Sequence, residues 1–286
     1  MSDIVFLTGA TGLVGQTLVS KIMQADNNTS LVLLIRGDSD SEVENRLDKL
    51  LSPLPPSTDP DHVRKRIKII RGDITLNQFG VSGAAYKNLA SKVTHIIHSA
   101  ASVKFHLSLE QARAVNVIGT KEVIALARLA QTKGQLKHFA FISTAYVSGE
   151  RRGLIKEDEL DRGQHFSNTY EQTKLESEKL ILRFSDTLPT TIFRPSNIAG
   201  DSKTGLTPSF NGLYTPLKFI SRGLVKYLPG LHNTALDVVP VDFVCDALFH
   251  ILFRSEDSVG RIYHLAYGKN NRTTVGEIAD LAVDYF

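Results

Sequence analysis

The sequence predicts an α/β protein, a doubly wound parallel sheet with a smaller C-terminal portion that binds substrate or acts as a lid. Three observations lead there. Short apolar runs at 4–7, 31–35 and 139–142 read as strands, and continuous runs of this kind suit parallel strands covered on both faces. Segments of helical character separate the strands, with no internal repeat, which is the alternation of a parallel sheet. Beyond about residue 200 the rhythm changes, and residues 201–235 are rich in Gly, Pro, Ser and Thr.

The first strand, Ile4-Val5-Phe6-Leu7, leads into Thr8-Gly9-Ala10-Thr11-Gly12-Leu13-Val14-Gly15. A helix follows, with Leu13, Val14, Leu18, Val19 and Ile22 on its inner side. Glycines at such a turn let the backbone approach a pyrophosphate that rests on the helix N-terminus. Gly9, Thr11, Gly12, Leu13, Val14 and Gly15 are therefore candidate cofactor residues. The second strand ends at Arg36, about twenty residues past the last glycine, where an arginine meets the 2′-phosphate of NADP and an acidic residue would meet the ribose of NAD. NADP(H) is the preferred cofactor, with NAD(H) as the other candidate because Asp38 lies close by.

A helix is expected over 41–51, ended by Ser52-Pro53-Leu54-Pro55-Pro56. The basic run Arg64-Lys65-Arg66 reads as a solvated entrance to the third strand, after which Asp73 and Ile74 can border the adenine. The fourth strand, 93–98, places His95 and His98 on opposite faces, so they cannot share a metal, and no metal is expected. The small residues Ala100 and Ala101 after it suit close passage of a cofactor. A helix over 109–132 contains Asn116, and the fifth strand ends at Ser143-Thr144. Ligands of such sheets bind beyond the carboxyl ends of the strands, so these segments converge on one crevice.

Asn168 with Glu171 three residues on reads as a capping box for a helix with an apolar stripe of Leu175, Leu180, Ile181 and Phe184. Tyr170 and Lys174, four apart, share one face of it. An ammonium beside a phenol favours the phenolate and brings proton exchange toward neutral pH. Tyr214 and Lys218 repeat the spacing, but Pro216 between them points to a loop or lid. After a strand at 190–194 come Pro195-Ser196-Asn197-Ile198, then the lid region with Phe210, Leu213, Phe219, Ile220, Leu224 and Leu228. A helix from Asp242 to Phe253, a strand over 261–266 and a helix from about Thr274 complete the chain. The expected division is 1–194, a cofactor-binding domain carrying the Thr/Tyr/Lys site, and 195–286, a substrate-binding and lid portion, interwoven as one unit.

Composition narrows the function classes. Of 286 residues, 42% are hydrophobic and 22% charged, an ordinary globular balance. A net charge of +3 is too small to suggest a nucleic-acid partner or a membrane surface. The single cysteine, Cys245, excludes an intramolecular disulfide and suits a reducing cytosol. No apolar run approaches the ~20 residues of a membrane span. The first strand begins almost at once, leaving no room for a signal peptide. A cytoplasmic location is expected.

With these residues in place, the chain resembles the extended short-chain dehydrogenase/reductase family, whose fold is of the Rossmann type. The order and spacing of the glycine turn, Thr144, Tyr170 and Lys174 carry the resemblance. Within it, the chain is most similar to fatty acyl-CoA reductases and to the thioester reductase domains of carboxylic acid reductases and peptide synthetases. His98-Ser99-Ala100-Ala101-Ser102-Val103-Lys104-Phe105, Ile142-Ser143-Thr144-Ala145-Tyr146-Val147 and Gly200-Asp201-Ser202-Lys203-Thr204-Gly205 carry that narrower match, together with the Asn168–Lys174 stretch and, more weakly, Val239-Pro240-Val241-Asp242.

The resemblance implies that Tyr170 protonates a carbonyl oxygen, that Lys174 lowers the phenol's pKa and holds the cofactor ribose, and that Thr144, rather than its neighbour Ser143, hydrogen-bonds the same oxygen. Asn116 would steady the site or a water relay. Gly9, Gly12, Gly15, Arg36, Asp73 and Pro195, Ser196, Asn197 and Ile198 would line the cofactor. The implied substrate is an acyl thioester, on coenzyme A or an acyl carrier protein, or a related carbonyl compound, reduced to aldehyde or alcohol. No adenylation, carrier or extra C-terminal domain is expected in this chain. A nucleotide-sugar epimerase or dehydratase, or a hydroxysteroid-type dehydrogenase, is the alternative within enzymes; a dinucleotide-binding sensor is the alternative outside them.

Overall fold

In a computed structural model, seven parallel strands form one sheet. The structure describes all residues except 1, 26–27, 55–58, 135, 208–213, 215–216, 219–221, 223–231, 269–271 and 286. Its strands are β1 (Ile4–Thr8), β2 (Ser30–Ile35), β3 (Ile67–Arg71), β4 (His95–His98), β5 (His138–Ile142), β6 (Thr190–Pro195) and β7 (Ile262–Leu265), in the order β7-β6-β5-β4-β1-β2-β3. The order reverses between β1 and β4, which pair in parallel with Thr8 beside His98. The ends of these two strands flank the crevice where ligands of such sheets bind.

Alternation along β1 divides the core into two layers. Val5 and Leu7 join Leu18 and Ile22 of α1 (Leu13–Ala25) and Val244 and Leu248 of α8 (Val241–Phe253). Phe6 faces the other way, onto Phe79, Tyr86 of α4 (Gly83–Ala90) and Val123 of α6 (Gly119–Thr132). The C-terminal portion thus supplies β7 to the sheet and α8 to the α1 layer. Among the described residues no helix is long and apolar enough to cross a membrane.

Several elements differ from expectation. Between α2 (Asp40–Leu51) and β3 lies α3 (Pro60–Lys65), capped by Asp59 with proline in its first turn. Arg66, expected to be solvated, is buried, and its guanidinium donates to the carbonyls of Thr29, at 2.8 and 3.0 Å, and Met23, at 3.3 Å. Paired this way, the buried cation gives these backbone carbonyls a donor and finds acceptors for its own N–H groups.

The helix expected over 109–132 comes in three pieces. They are α5 (Leu109–Arg113), a π-helical turn (Ala114–Ile118) and α6. The carbonyl of Asn116, in the widened turn, accepts from the hydroxyls of Thr120 at 2.5 Å and Ser177 at 2.8 Å. Such turns hold a side chain at an angle a regular helix cannot provide.

Tyr214 and Lys218 are helical rather than in a loop, and the Tyr214 hydroxyl accepts from the Gly200 N–H at 2.6 Å. Pro216 and the apolar residues Phe210, Leu213, Phe219, Ile220, Leu224 and Leu228 lie outside the described residues. The Gly200–Gly205 and Val239–Asp242 stretches meet. Asp242 accepts from Ser202 N–H at 2.9 Å and from its hydroxyl at 2.6 Å.

Candidate active site

Two short strand-to-helix turns bring the site together. Gly9 has φ of +75°, and a Cβ there would stand 2.6 Å from the Ala100 nitrogen, so only glycine lets the turns after β1 and β4 touch. Thr8 reinforces the contact. Its hydroxyl meets His98 Nδ1 at 2.7 Å and accepts from Ala100 N–H at 3.3 Å. A Cβ on Gly15 would fall 2.1 Å from the Gly9 carbonyl oxygen, so Gly15 serves the packing of α1 on the turn. Helix geometry leaves the first N–H groups of α1 without an in-helix acceptor, pointing at the crevice. This cradle fits the pyrophosphate of a dinucleotide.

On one side of the cradle is a cavity of about 210 Å³. Gly9, Gly12, Arg36, Asp73, Ile74 and Ala100 line it, with Thr11 and Ala101. Arg36 is exposed and 3.8 Å from the Asp73 carboxylate. Sequence reasoning missed Arg46, on α2, which borders the same cavity. Its guanidinium donates to the Arg36 carbonyl at 2.7 Å and to the Thr11 hydroxyl at 3.1 Å. Two arginines bordering one small cavity suit a phosphate.

On the other side is a cavity of about 660 Å³. Thr11, Gly12, Leu13, Val14 and Ala101 form one wall, and Pro195, Ser196, Asn197 and Ile198 another. Thr144, Tyr170 and Lys174 close it, together with Val103, Phe105, Tyr146 and Glu171. Gly15 and Asn116 border neither cavity.

Tyr170 and Lys174 ride on α7 (Thr169–Leu182), whose N-terminus Asn168 caps by accepting from Glu171 N–H at 3.0 Å. The box is one-sided. The Glu171 carboxylate accepts from Ser167 N–H at 3.0 Å and from the Asn168 side-chain amide at 2.9 Å. Burial pushes the Tyr170 phenol up to about 12, against a hydrogen bond from Thr144. The other influences on it are the charges of Glu171 and Tyr146, both of which raise it.

Lys174 acts differently from the sequence expectation. Its ammonium donates to the Ile142 carbonyl at 2.6 Å and lies 4.1 Å from the centre of the Phe141 ring. Burial lowers it to about 7, with the Glu178 carboxylate opposing. Among the described residues it makes no hydrogen bond to the Tyr170 hydroxyl, so it does not pull the phenol down here. A phenol raised by burial holds its proton at neutral pH, as a proton donor must.

Ser143 and Thr144 face opposite ways, as alternation at a strand end requires. Ser143 donates to the buried Glu178 carboxylate at 2.6 Å, away from the phenol. Glu178 also takes Arg194 Nε at 2.9 Å and Nη2 at 2.5 Å, a pair buried at 0% and 1% exposure. Asn116 is committed elsewhere. Its amide oxygen accepts from Ser102 N–H at 2.8 Å, and its amide nitrogen donates to the Thr173 hydroxyl at 2.9 Å and the Ser102 carbonyl at 3.3 Å. It ties the segment after β4 to α7.

Residues 7–248 match the family model described as Male sterility protein. The chain belongs to this family. It is an NAD(P)-binding oxidoreductase of the extended short-chain dehydrogenase/reductase type. Fatty acyl-CoA reductase wat of Drosophila melanogaster is 29% identical over 276 residues, which is 85% of this chain and 53% of that protein. Nonribosomal peptide synthetase asaC of Aspergillus flavus is 31% identical over 271 residues, 91% of this chain and 26% of that protein. The chain therefore spans about half the length of the first relative and about a quarter of the second. Among solved structures, the terminal R domain from the myxalamid PKS-NRPS biosynthetic pathway superposes with a TM-score of 0.87 at 30% identity, covering 99% of this chain and 70% of that one.

Proposed function

We propose that this chain reduces the carbonyl of an acyl thioester, carried on coenzyme A or an acyl carrier protein, with NADPH as the reductant. One observation carries the reading. Tyr170, Thr144 and Lys174 border the same cavity as the glycine turn, so a proton donor and a dinucleotide cradle face one substrate. Similarity to a fatty acyl-CoA reductase and to a reductase domain supports a thioester as substrate. Arg36 and Arg46, bordering the smaller cavity, support NADPH over NADH.

When bound, NADPH would supply the hydride. Tyr170 gives its proton to the carbonyl oxygen as negative charge develops there, and the Thr144 hydroxyl shares that charge by a hydrogen bond. The hemithioacetal so formed breaks its carbon–sulfur bond. The hydroxyl proton passes to sulfur, and an aldehyde and a thiol leave. A second reduction of the aldehyde would give the alcohol. Lys174 would hold the cofactor ribose, its side chain anchored behind the site on the Ile142 carbonyl.

The test follows NADPH oxidation with acyl-CoA thioesters from short to long, with NADH as the control reductant. Tyr170→Phe lowers kcat about 10²–10⁴-fold on this reading, the usual worth of a positioned proton donor. Equal turnover by the variant, or no thioester turnover by a wild-type chain that binds NADPH, rejects it.

A further inference from the structure

The segment from Ser102 to Ser108 is held at both ends and exposed in the middle. At its start, Asn116 bonds both the N–H and the carbonyl of Ser102. At its end, the Thr169 hydroxyl donates to the Leu107 carbonyl at 3.1 Å, and Ser108 with Gln111 forms a full capping box on α5. Both anchors run to the neighbourhood of Tyr170, since Thr169 precedes it and Thr173, the second partner of Asn116, lies one turn on. A segment tethered this way is a strap with a defined position, not a free loop.

Its middle carries Val103 and Phe105, exposed at 44% and 50%. Both border the larger cavity. The Phe105 ring sits 5.9 Å, centre to centre, from the Tyr170 ring, inclined at 57°. Large apolar side chains so fixed, and still half open to water, leave apolar area uncovered at the point where the reacting carbonyl meets the phenol. Whatever is bonded to that carbonyl carbon runs along one side of the phenol. Of the two arms of an acyl thioester, the phosphopantetheine arm carries amides and a phosphate. The acyl arm is the apolar one, and covering Phe105 with it removes apolar surface from water.

We propose that Phe105, with Val103 beside it, is the specificity-determining wall for the acyl group. An apolar acyl chain lies along the strap while its carbonyl meets Tyr170. The inference rests on the reading of the chain as a thioester reductase and names which arm of the substrate this surface takes. It also gives Asn116 a task its bonds support, holding the acyl wall in register with the phenol.

The experiment compares dodecanoyl-CoA with acetyl-CoA in the wild type, Phe105→Ser and Val103→Ser. The readout is the ratio of kcat/KM for the two substrates, which cancels any general damage to the fold or to cofactor binding. The expected result is a ratio about tenfold lower in Phe105→Ser, the order of magnitude for half of an aromatic side chain's burial, with a smaller fall in Val103→Ser. The same variants are titrated calorimetrically with S-dodecyl-CoA, a thioether that cannot be reduced. Weaker binding in Phe105→Ser is expected even if the wild type turns over no thioester, an outcome that removes the reductase reading and leaves the apolar wall. A dodecanoyl-to-acetyl ratio within twofold of wild type, or loss that is equal for both chain lengths, overturns the inference. So does S-dodecyl-CoA binding that is indifferent to Phe105.

Discussion

At the scale of single residues, the site divides into groups that touch the cavities and groups that hold others in place. Tyr170, Thr144 and Lys174 belong to the first, Gly15 and Asn116 to the second, and Ser143 to both, since it borders the larger cavity while its hydroxyl holds Glu178. The place of Arg36 beside the smaller cavity was legible because the end of the second strand is a fixed position relative to the glycine turn. Arg46 was not, since its part depends on α2 lying back across the turn so that one guanidinium reaches both the Arg36 carbonyl and Thr11. Arg46→Ala is expected to raise KM for NADPH about tenfold, the worth of one exposed phosphate contact of roughly 1–1.5 kcal/mol, and to leave KM for NADH nearly unchanged. Steady-state kinetics with the two reductants check this; equal effects on both place Arg46 away from the 2′-phosphate.

At the scale of elements, α7 is the part that departs most from a simple amphipathic helix. The stripe of Leu175, Leu180 and Ile181 was readable from the sequence. The helix also buries Thr173, Lys174, Ser177 and Glu178, and each finds its partner on an element distant in the chain. Tyr170, Lys174 and Glu178 follow at intervals of four on one ridge. Glu178 binds the buried Arg194 of β6 and, through Ser143, the end of β5. The ion pair locks the helix to the sheet directly behind the site. Glu178→Gln leaves a buried guanidinium without its counter-charge and is expected to cost about 3–5 kcal/mol of stability. Urea unfolding measures it. The double change Glu178→Leu with Arg194→Met removes both charges and is expected to cost less, and a larger loss in the double variant would assign the stability to packing instead.

At the scale of the whole molecule, the sheet separates a working edge from a structural one. The carboxyl ends of β1, β4 and β5 carry the site, while His95 and His138 open β4 and β5 at the opposite edge. Burial lowers His95 and His138 to about 4 each, and His98 to about 3. These folded values lie below the unfolded value near ~6.5, so the unfolded chain binds the extra protons. The stability of neutral, buried imidazoles is complete above about pH 6.5 and is lost as pH falls toward 4. Each histidine contributes about 1.4 kcal/mol per pH unit in that window. Thermal unfolding at pH 7.5, 6 and 5 is expected to show Tm falling with pH. His138→Asn, which keeps a polar group near Thr191, should flatten the fall. A Tm that stays level from pH 7.5 to 5 would contradict the burial.

The sequence by itself determined the alternating strands and helices, the glycine turn and the Tyr170/Lys174 face, because each depends on periodicity, turn chemistry or spacing within a few residues. Only the tertiary structure decided that Lys174 points to Ile142, that Ser143 turns to Glu178, that Asn116 holds Ser102, and that Arg46 and Phe105 border the two cavities. Those placements join residues ten to more than thirty positions apart or, for Phe105, depend on a strap anchored by α7. Side-chain direction at such contacts is set by which hydrogen bonds and apolar surfaces meet after the layers pack, and local pattern carries no record of that.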